Sequence, residues 1–504
     1  MADEYPAHFL LLNQSFSKIN HFQLPINPVL DKVKDASSQI GIDELLKILD
    51  TLSRAGASYS DVRFEEYAGM EIQMKDGEVE DAVPGIEQGA CVRALYNGAW
   101  GFFSSNDLSK LQDGAGRAFK MAKVSAARAK EKVKLAPVAA ENARVIWKAK
   151  KNPLDVSIEE KVALLSSMDK AIRAFPEIKS AKIGYGDART RTLFVSTDGA
   201  RIETEMHALL AKASFTARRG SEIEAGRLRI GGTMGFEIFD NESPVEKCSK
   251  TAKSTINLLD AQHALGGRFP VICDHELTGV FTHEAVGHCC ESDIVLAGES
   301  VLAGKIGKKV AAPLITIVDD PTISGAFGSF PYDDEGVKAR RKVLIENGVL
   351  RSFILNREDA HKLKMEPNGG ARAESFAARP IVRMSNTFIA GGASGRKFDE
   401  LLEGIKRGIY AKGTRGGQVD TVKGSFQFAA QEAYLIENGE ITRPLKGVSL
   451  SGMTLETLNN IDAIGNDFKL GDPGICGKGQ MVFVSDGGPH IRIKNCVVGG
   501  MRSE

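Results

Sequence analysis

One stretch, Thr282-His283-Glu284-Ala285-Val286-Gly287-His288-Cys289-Cys290-Glu291, gathers two imidazoles, two carboxylates and two thiols within ten residues. Leu277, Val280 and Phe281 precede it at helical spacing, so His283 and Glu284 are expected on a helix. The pattern is HExxxH, one residue longer than the HExxH motif that chelates zinc. On an α-helix, residues i and i+4 lie about 40° apart, whereas i and i+5 lie about 140° apart. A regular helix therefore cannot easily turn both imidazoles onto one ion, and the backbone must bulge or end between them. Gly287, just before His288, is where such a departure is expected to cost least. Read this way, His283 and His288 are metal ligands and Glu284 is a general base. A zinc ion lowers the pKa of water, and a neighbouring carboxylate takes up the proton. The plain alternative is a buried helix whose histidines only hydrogen-bond.

A catalytic zinc site usually has a third protein ligand. Cys289, Cys290, Glu291 and Asp293 are close by, Cys273-Asp274-His275 lies upstream and Cys476 far downstream; spacing alone does not choose among them. His275-Glu276 begins a similar motif, but no histidine follows four or five residues later. Gly391 to Lys397 lacks the spacing of a phosphate-binding loop. Ser375 and Ser385 have no nucleophile-elbow surroundings. Tyr332-Asp333-Asp334-Glu335-Gly336 lacks the spacing of a calcium loop and reads as a solvated turn.

These residues must be carried by ordered elements. Leu45, Leu46, Ile48, Leu49 and Leu52 form a helical stripe, with Asp43 as a cap and Gly56 as the stop. Strand-like runs follow, joined at Asp76-Gly77, and Gly101-Phe102 leads to a second helix opening near Asn106. The order then recurs: Ser157 with Glu160 starts a helix, Asp198-Gly199 joins strands, and Gly235-Phe236 precedes a helix over Pro244 to Leu259. This is read as a structural duplication. The alanine- and lysine-rich stretch Lys120 to Lys151 between the copies reads as a solvated helix plus linker. Beyond about residue 264 glycine becomes dense, and Asn347-Gly348 and Asn438-Gly439 mark hairpins. The expected fold class is α+β. Residues 1–40 are an extension, 41–150 and 151–263 two α/β repeats, and 264–504 a mostly antiparallel, β-rich catalytic domain.

The chain has 504 residues, 65 basic and 65 acidic, so its net charge is zero. That balance argues against nucleic-acid binding. Hydrophobic residues make up 42% and charged residues 26%, as in an ordinary globular protein. No run approaches the ~18 apolar residues that span a bilayer. Met1 to Glu4 is acidic and leads into no signal-like stretch, and the 7 cysteines show no disulfide framework. The reading is a cytoplasmic protein, away from membranes.

Several ordered motifs resemble the TldD/PmbA family, of the TldD type. They are His283 to His288, Asp333-Asp334-Glu335-Gly336, Gly416-Gly417-Gln418-Val419-Asp420, Glu432 to Gly439, Ile464-Gly465-Asn466-Asp467 and Pro473 to Gln480. The run from Gln88-Gly89 to Gly101-Phe102 also looks like the family, and the likeness spans roughly residues 40–504. The resemblance implies a zinc metallopeptidase in which His283, His288 and Cys476 bind one zinc ion and Glu284 is catalytic. It implies peptides or unfolded polypeptides as substrates and a TldE/PmbA-like subunit as partner in a heterodimer. A homodimer with exopeptidase preference is one rival; a non-catalytic regulator of gyrase or of toxin-antitoxin pairs is another. Cys289-Cys290 departs from the family pattern and places two extra thiols beside a ligand.

Overall fold

The computed structural model describes residues 40–391 and 395–500. The proposed extension, up to residue 39, and Gly392 to Ser394 lie outside the described residues.

The N-terminal half is built twice to one plan. The first copy runs helix α1 (Ile42–Ala55), strands β1 (Tyr59–Lys75), β2 (Glu78–Tyr96) and β3 (Ala99–Ser105), then helix α2 (Leu111–Ala126). The second runs helix α3 (Ile158–Arg173), strands β5 (Ile178–Ser196), β6 (Arg201–Arg219) and β7 (Glu222–Gly232), then helix α4 (Pro244–Leu259). Of the expected stripe, helix α1 buries Leu45, Ile48, Leu49 and Leu52, while Leu46 is half-buried against the same core. Its N-cap is Gly41 rather than Asp43, which sits in the first turn, and Gly56 closes it at φ 97°. In α3, Ser157 Oγ accepts from the Glu160 amide at 3.2 Å. The two copies do not form separate sheets. β1 pairs antiparallel with β5 from Asp61↔Ser196 to Lys75↔Lys182, fusing them into one seven-stranded sheet. The stretch read as helix plus linker supplies strand β4 (Asn142–Ile146), which pairs parallel with β6. Its solvated residues alternate with half-buried ones, which short-range patterning cannot distinguish from a linker.

The C-terminal half holds two further sheets. In one, strands Arg407–Asp420, Gly267–Cys273, Ile491–Gly499, Ser449–Met453 and Ser425–Glu437 pair in that order, and the last pairs back onto the first, so the sheet closes as a barrel. The other has six strands and ends on Met481–Gly488 and then Lys469–Gly477 at its edge. Pairing is antiparallel except at a few joins, such as Asn386–Ile389 against Met481–Gly488. The predicted Asn-Gly hairpins form: Glu346 pairs with Val349 and Glu437 with Glu440, and Asn347, Gly348, Asn438 and Gly439 all have positive φ.

Charged groups clamp the seven-stranded sheet to this half. Arg63 pairs with Asp334 at 2.9 Å and Arg93 with Glu335 at 3.1 Å. Asp333 caps the same turn, accepting from the amides of Glu335, Val337 and Ala371. The acidic run 333–335 is thus a buried clasp rather than a solvated turn. No helix among the described residues is long and apolar enough to cross a membrane.

Candidate metal centre

The helix that carries the motif starts at His275, capped by the Asp274 side chain, and stays α-helical to Phe281. From Thr282 to Gly287 it widens into a π-helical turn, then tightens at His288–Cys290. A π turn takes about 4.4 residues, so positions i and i+5 fall about 50° apart instead of about 140°. The amide of His288 donates to the carbonyl of His283, so the widened hydrogen bond joins the two histidines themselves. Their rings stand edge to face, with centroids 5.2 Å apart. The departure expected near Gly287 therefore occurs, but across the whole turn. Gly287 is right-handed helical, with φ −56° and ψ −53°. Its role is packing: a Cβ there would lie 2.0 Å from Met384 Sδ.

The edge strand Lys469–Gly477 brings Cys476 to this turn. His288 Nε2 lies 3.4 Å from Cys476 Sγ. Ligand atoms of His283, His288 and Cys476 all fall within 4.8 Å of one another, and all three residues are buried. Glu284 stands on the more open side, with Oε2 3.8 Å from His288 Nε2. Burial would raise the Cys476 thiol, but His283 and His288 hold it well below the usual thiol range. Burial would lower both imidazoles, yet Cys476 brings His283 up to about 9, and Glu291 holds His288 well above its usual value. Such a mutually charged cluster is the proton-loaded form of a site whose anion and imidazoles suit a soft divalent ion. Two imidazoles and one thiolate fit zinc, and the buried His283 Nδ1 has no hydrogen-bond partner.

The other nearby candidates are placed elsewhere. Glu291, fully buried, holds His288 Nδ1 at 2.8 Å and so leaves Nε2 facing Cys476. Asp293 pairs with Lys478 at 2.8 Å. Burial pushes the Cys289 thiol up to about 12 and Cys290 well above its usual value, which leaves both as inert packing groups. Cys273 likewise lies buried in its barrel strand. Sequence reasoning weighed Glu291 only as a ligand; its spacing of three from His288 was the available signal for a positioning role. It missed Arg383, whose Nη2 donates to the Cys476 carbonyl at 2.7 Å. It also missed Asp486, raised to about 7 by burial and by Glu284 against the pull of His283. Gly279 makes room for that carboxylate, since a Cβ there would meet Asp486 Oδ1 at 2.2 Å. No sequence motif marks either residue.

Comparison with known proteins gives this geometry its context. Models of PmbA/TldA metallopeptidase domains match residues 60–123 (domain 1), 151–259 (central domain) and 266–500 (C-terminal domain). A metalloprotease of Methanothermobacter thermautotrophicus is 43% identical over 443 residues, covering 88% of this chain and 95% of that protein. A zinc metalloprotease TldD homolog of Saccharolobus solfataricus is 32% identical over 462 residues, covering 90% and 100%. The chain belongs to the PmbA/TldD family. Among solved structures, a Thermotoga maritima protein described as a modulator of a DNA gyrase aligns with TM-score 0.74 at 21% identity, covering 91% of this chain and 100% of that one. TldE from Thermococcus kodakarensis aligns with TM-score 0.71 at 18% identity, covering 91% and 100%. At those identities the likeness is one of fold.

Proposed function

We propose that the protein is a zinc-dependent peptidase in which His283, His288 and Cys476 hold one zinc ion and Glu284 moves the proton. The observation that carries this is the π turn, which sets both histidines against Cys476 and leaves Glu284 beside them on the accessible side. Bound zinc supplies a Lewis acid that polarises a carbonyl and makes water a nucleophile near neutral pH. Glu284 takes a proton from the attacking water and returns it to the leaving amine. Glu291 fixes the tautomer of His288, and Arg383 fixes the strand that carries Cys476. Relatives named metalloproteases support the class, and membership of the PmbA/TldD family supports a TldE/PmbA-like subunit as partner, with a homodimer as the alternative. The substrate class is peptides or unfolded polypeptides. Seven buried, unpaired cysteines support action in the cytoplasm.

The test is turnover of an unstructured peptide, with and without a TldE-like partner. Glu284→Gln should keep zinc and lose activity by about 10²–10⁴-fold; full activity in that variant refutes the mechanism. The rival reading is a non-catalytic regulator of gyrase or toxin-antitoxin pairs; the description of one fold neighbour as a modulator of a DNA gyrase touches its gyrase half alone. Peptide cleavage that chelators abolish and zinc restores excludes it.

A further inference from the structure

No histidine follows His275 four or five residues later in the sequence. The fold supplies one from the far end of the chain. His490, in the turn before strand Ile491–Gly499, packs edge to face on His275 with ring centroids 4.4 Å apart. Asp467 closes the group: its Oδ2 lies 2.6 Å from His490 Nδ1 and 3.9 Å from His275 Nε2. One ligand atom from each residue falls within 4.8 Å of the others.

We propose that His275, Asp467 and His490 form a second metal site, binding zinc or a similar imidazole-seeking divalent ion, separate from the His283, His288 and Cys476 cluster. Metal-binding histidines commonly have the other ring nitrogen engaged by a carbonyl, carboxylate or similar group. Here His275 Nδ1 meets the Gly488 carbonyl at 2.8 Å, which leaves Nε2 as a lone pair facing Asp467. His490 Nε2 meets the Tyr410 hydroxyl at 2.9 Å. When an ion takes Nδ1, the ring proton moves to Nε2, where the hydroxyl oxygen accepts it, so the imidazole stays neutral. Asp467 also accepts from the His490 amide at 3.2 Å, so the carboxylate is fixed before an ion arrives. Two imidazole nitrogens and a carboxylate oxygen suit zinc, with one position left to solvent. The Asp467 side chain is 32% exposed, which gives an ion a way in.

The placement gives the site a role. His275 is the first residue of the helix that continues into the π turn, Asp467 precedes the strand carrying Cys476, and His490 precedes a barrel strand. One ion would tie the two segments that position the first cluster to a barrel strand. The proposal stands apart from the catalytic reading and can fail separately.

The experiment loads the metal-free full-length chain with zinc, removes the excess and counts equivalents by mass spectrometry. Wild type should hold two. Asp467→Asn and His275→Ala should each hold one, as should Cys476→Ser. With cobalt, Cys476→Ser should show only weak d–d absorption, without the thiolate charge-transfer band, because the remaining donors are nitrogen and oxygen. Circular dichroism certifies folding, and if His275→Ala fails to fold, Asp467→Asn alone decides. A wild type with one equivalent that Cys476→Ser loses overturns the second site and leaves the catalytic reading intact. An equivalent lost in Asp467→Asn but kept in Cys476→Ser upholds the second site and sinks the other. Asp467→Asn holding as much zinc as wild type overturns the proposal.

Discussion

Glu291 is the residue whose removal tests the first cluster most sharply, because it touches no substrate and yet should control zinc. Its carboxylate is fully buried, 2.8 Å from His288 Nδ1, 3.3 Å from Lys478 Nζ and 3.7 Å from Arg383 Nε. Glu291→Gln keeps the shape and an oxygen that can accept from His288, but removes the charge. Losing such an outer-shell carboxylate typically weakens metal binding about 10–100-fold, or about 1.4–2.7 kcal/mol. A second cost falls on folding. Arg383 is fully buried and would lose its nearest anion, and a buried charge left alone costs about 3–5 kcal/mol. Lys478 suffers less, since Asp293 remains at 2.8 Å. Zinc affinity is read by competition with a chromophoric chelator, and stability by denaturant unfolding. The control is Asp293→Asn, which disturbs Lys478 without touching His288 and should leave zinc affinity within about threefold, well short of the outer-shell effect. Zinc affinity in Glu291→Gln within twofold of wild type would refute the claim that this carboxylate orients a ligand.

Three further outcomes follow from the packing and the charges. Gly287→Ala pushes a methyl against the buried Met384 sulfur and should destabilise by about 1–3 kcal/mol, with a favourable coupling to Met384→Ala in a double-mutant cycle; an unchanged melting curve would contradict this. Lys161 and Asp187 form a fully buried pair at 2.6 Å, so Lys161→Met should cost about 3–5 kcal/mol by denaturant unfolding, and adding Asp187→Leu should recover most of it; a cost under about 1 kcal/mol counts against the pair. Burial raises Glu71 to about 7 against the pull of Lys212. Below the ordinary carboxylate range both folded and unfolded states are protonated. As pH rises toward about 7 only the unfolded state releases the proton, so stability falls, by up to about 1.4 kcal/mol per pH unit, and the loss is complete above that. Glu71→Gln should therefore melt higher than wild type at pH 8 and not at pH 4, and equal differences at both would rule the account out.

Short-range signals in the sequence were reliable where a local interaction decides the structure. The Asn-Gly and Asp-Gly pairs specify two-residue hairpins because positive φ is required there, and they formed at Asp76-Gly77, Asn347-Gly348 and Asn438-Gly439. The stripe Leu45 to Leu52 made its helix for the same reason. What stayed hidden is set by distant partners. The pairing of β1 with β5 fuses the two copies, and nothing within either hairpin encodes which edge meets which. Barrel closure depends on Ser425–Glu437 finding Arg407–Asp420 as well as Ser449–Met453. Strand β4 looked like a linker because its polar alternation forms a sheet only once β6 is beside it. At the candidate centre, His283, Glu284 and His288 were legible as a local motif, while Cys476 was reached only through family resemblance and His490 not at all.

The spacing of the motif shows why local reading stops where it does. HExxxH states a problem, two ligands on opposite sides of an α-helix, without stating its solution. The solution is a π turn, in which hydrogen-bond partners stand five positions apart instead of four. Such a turn is intrinsically unfavourable, so it must be held from outside. Thr282 ties its start to the Thr278 carbonyl at 2.7 Å, Met384 fills the space that Gly287 leaves, and Glu291 grips His288. Together those contacts hold the wide turn, and with it both histidines, in place. The extra residue therefore does more than displace a ligand. It carries Glu284 to within 3.8 Å of His288 Nε2, on the same side as the histidines rather than turned away from them.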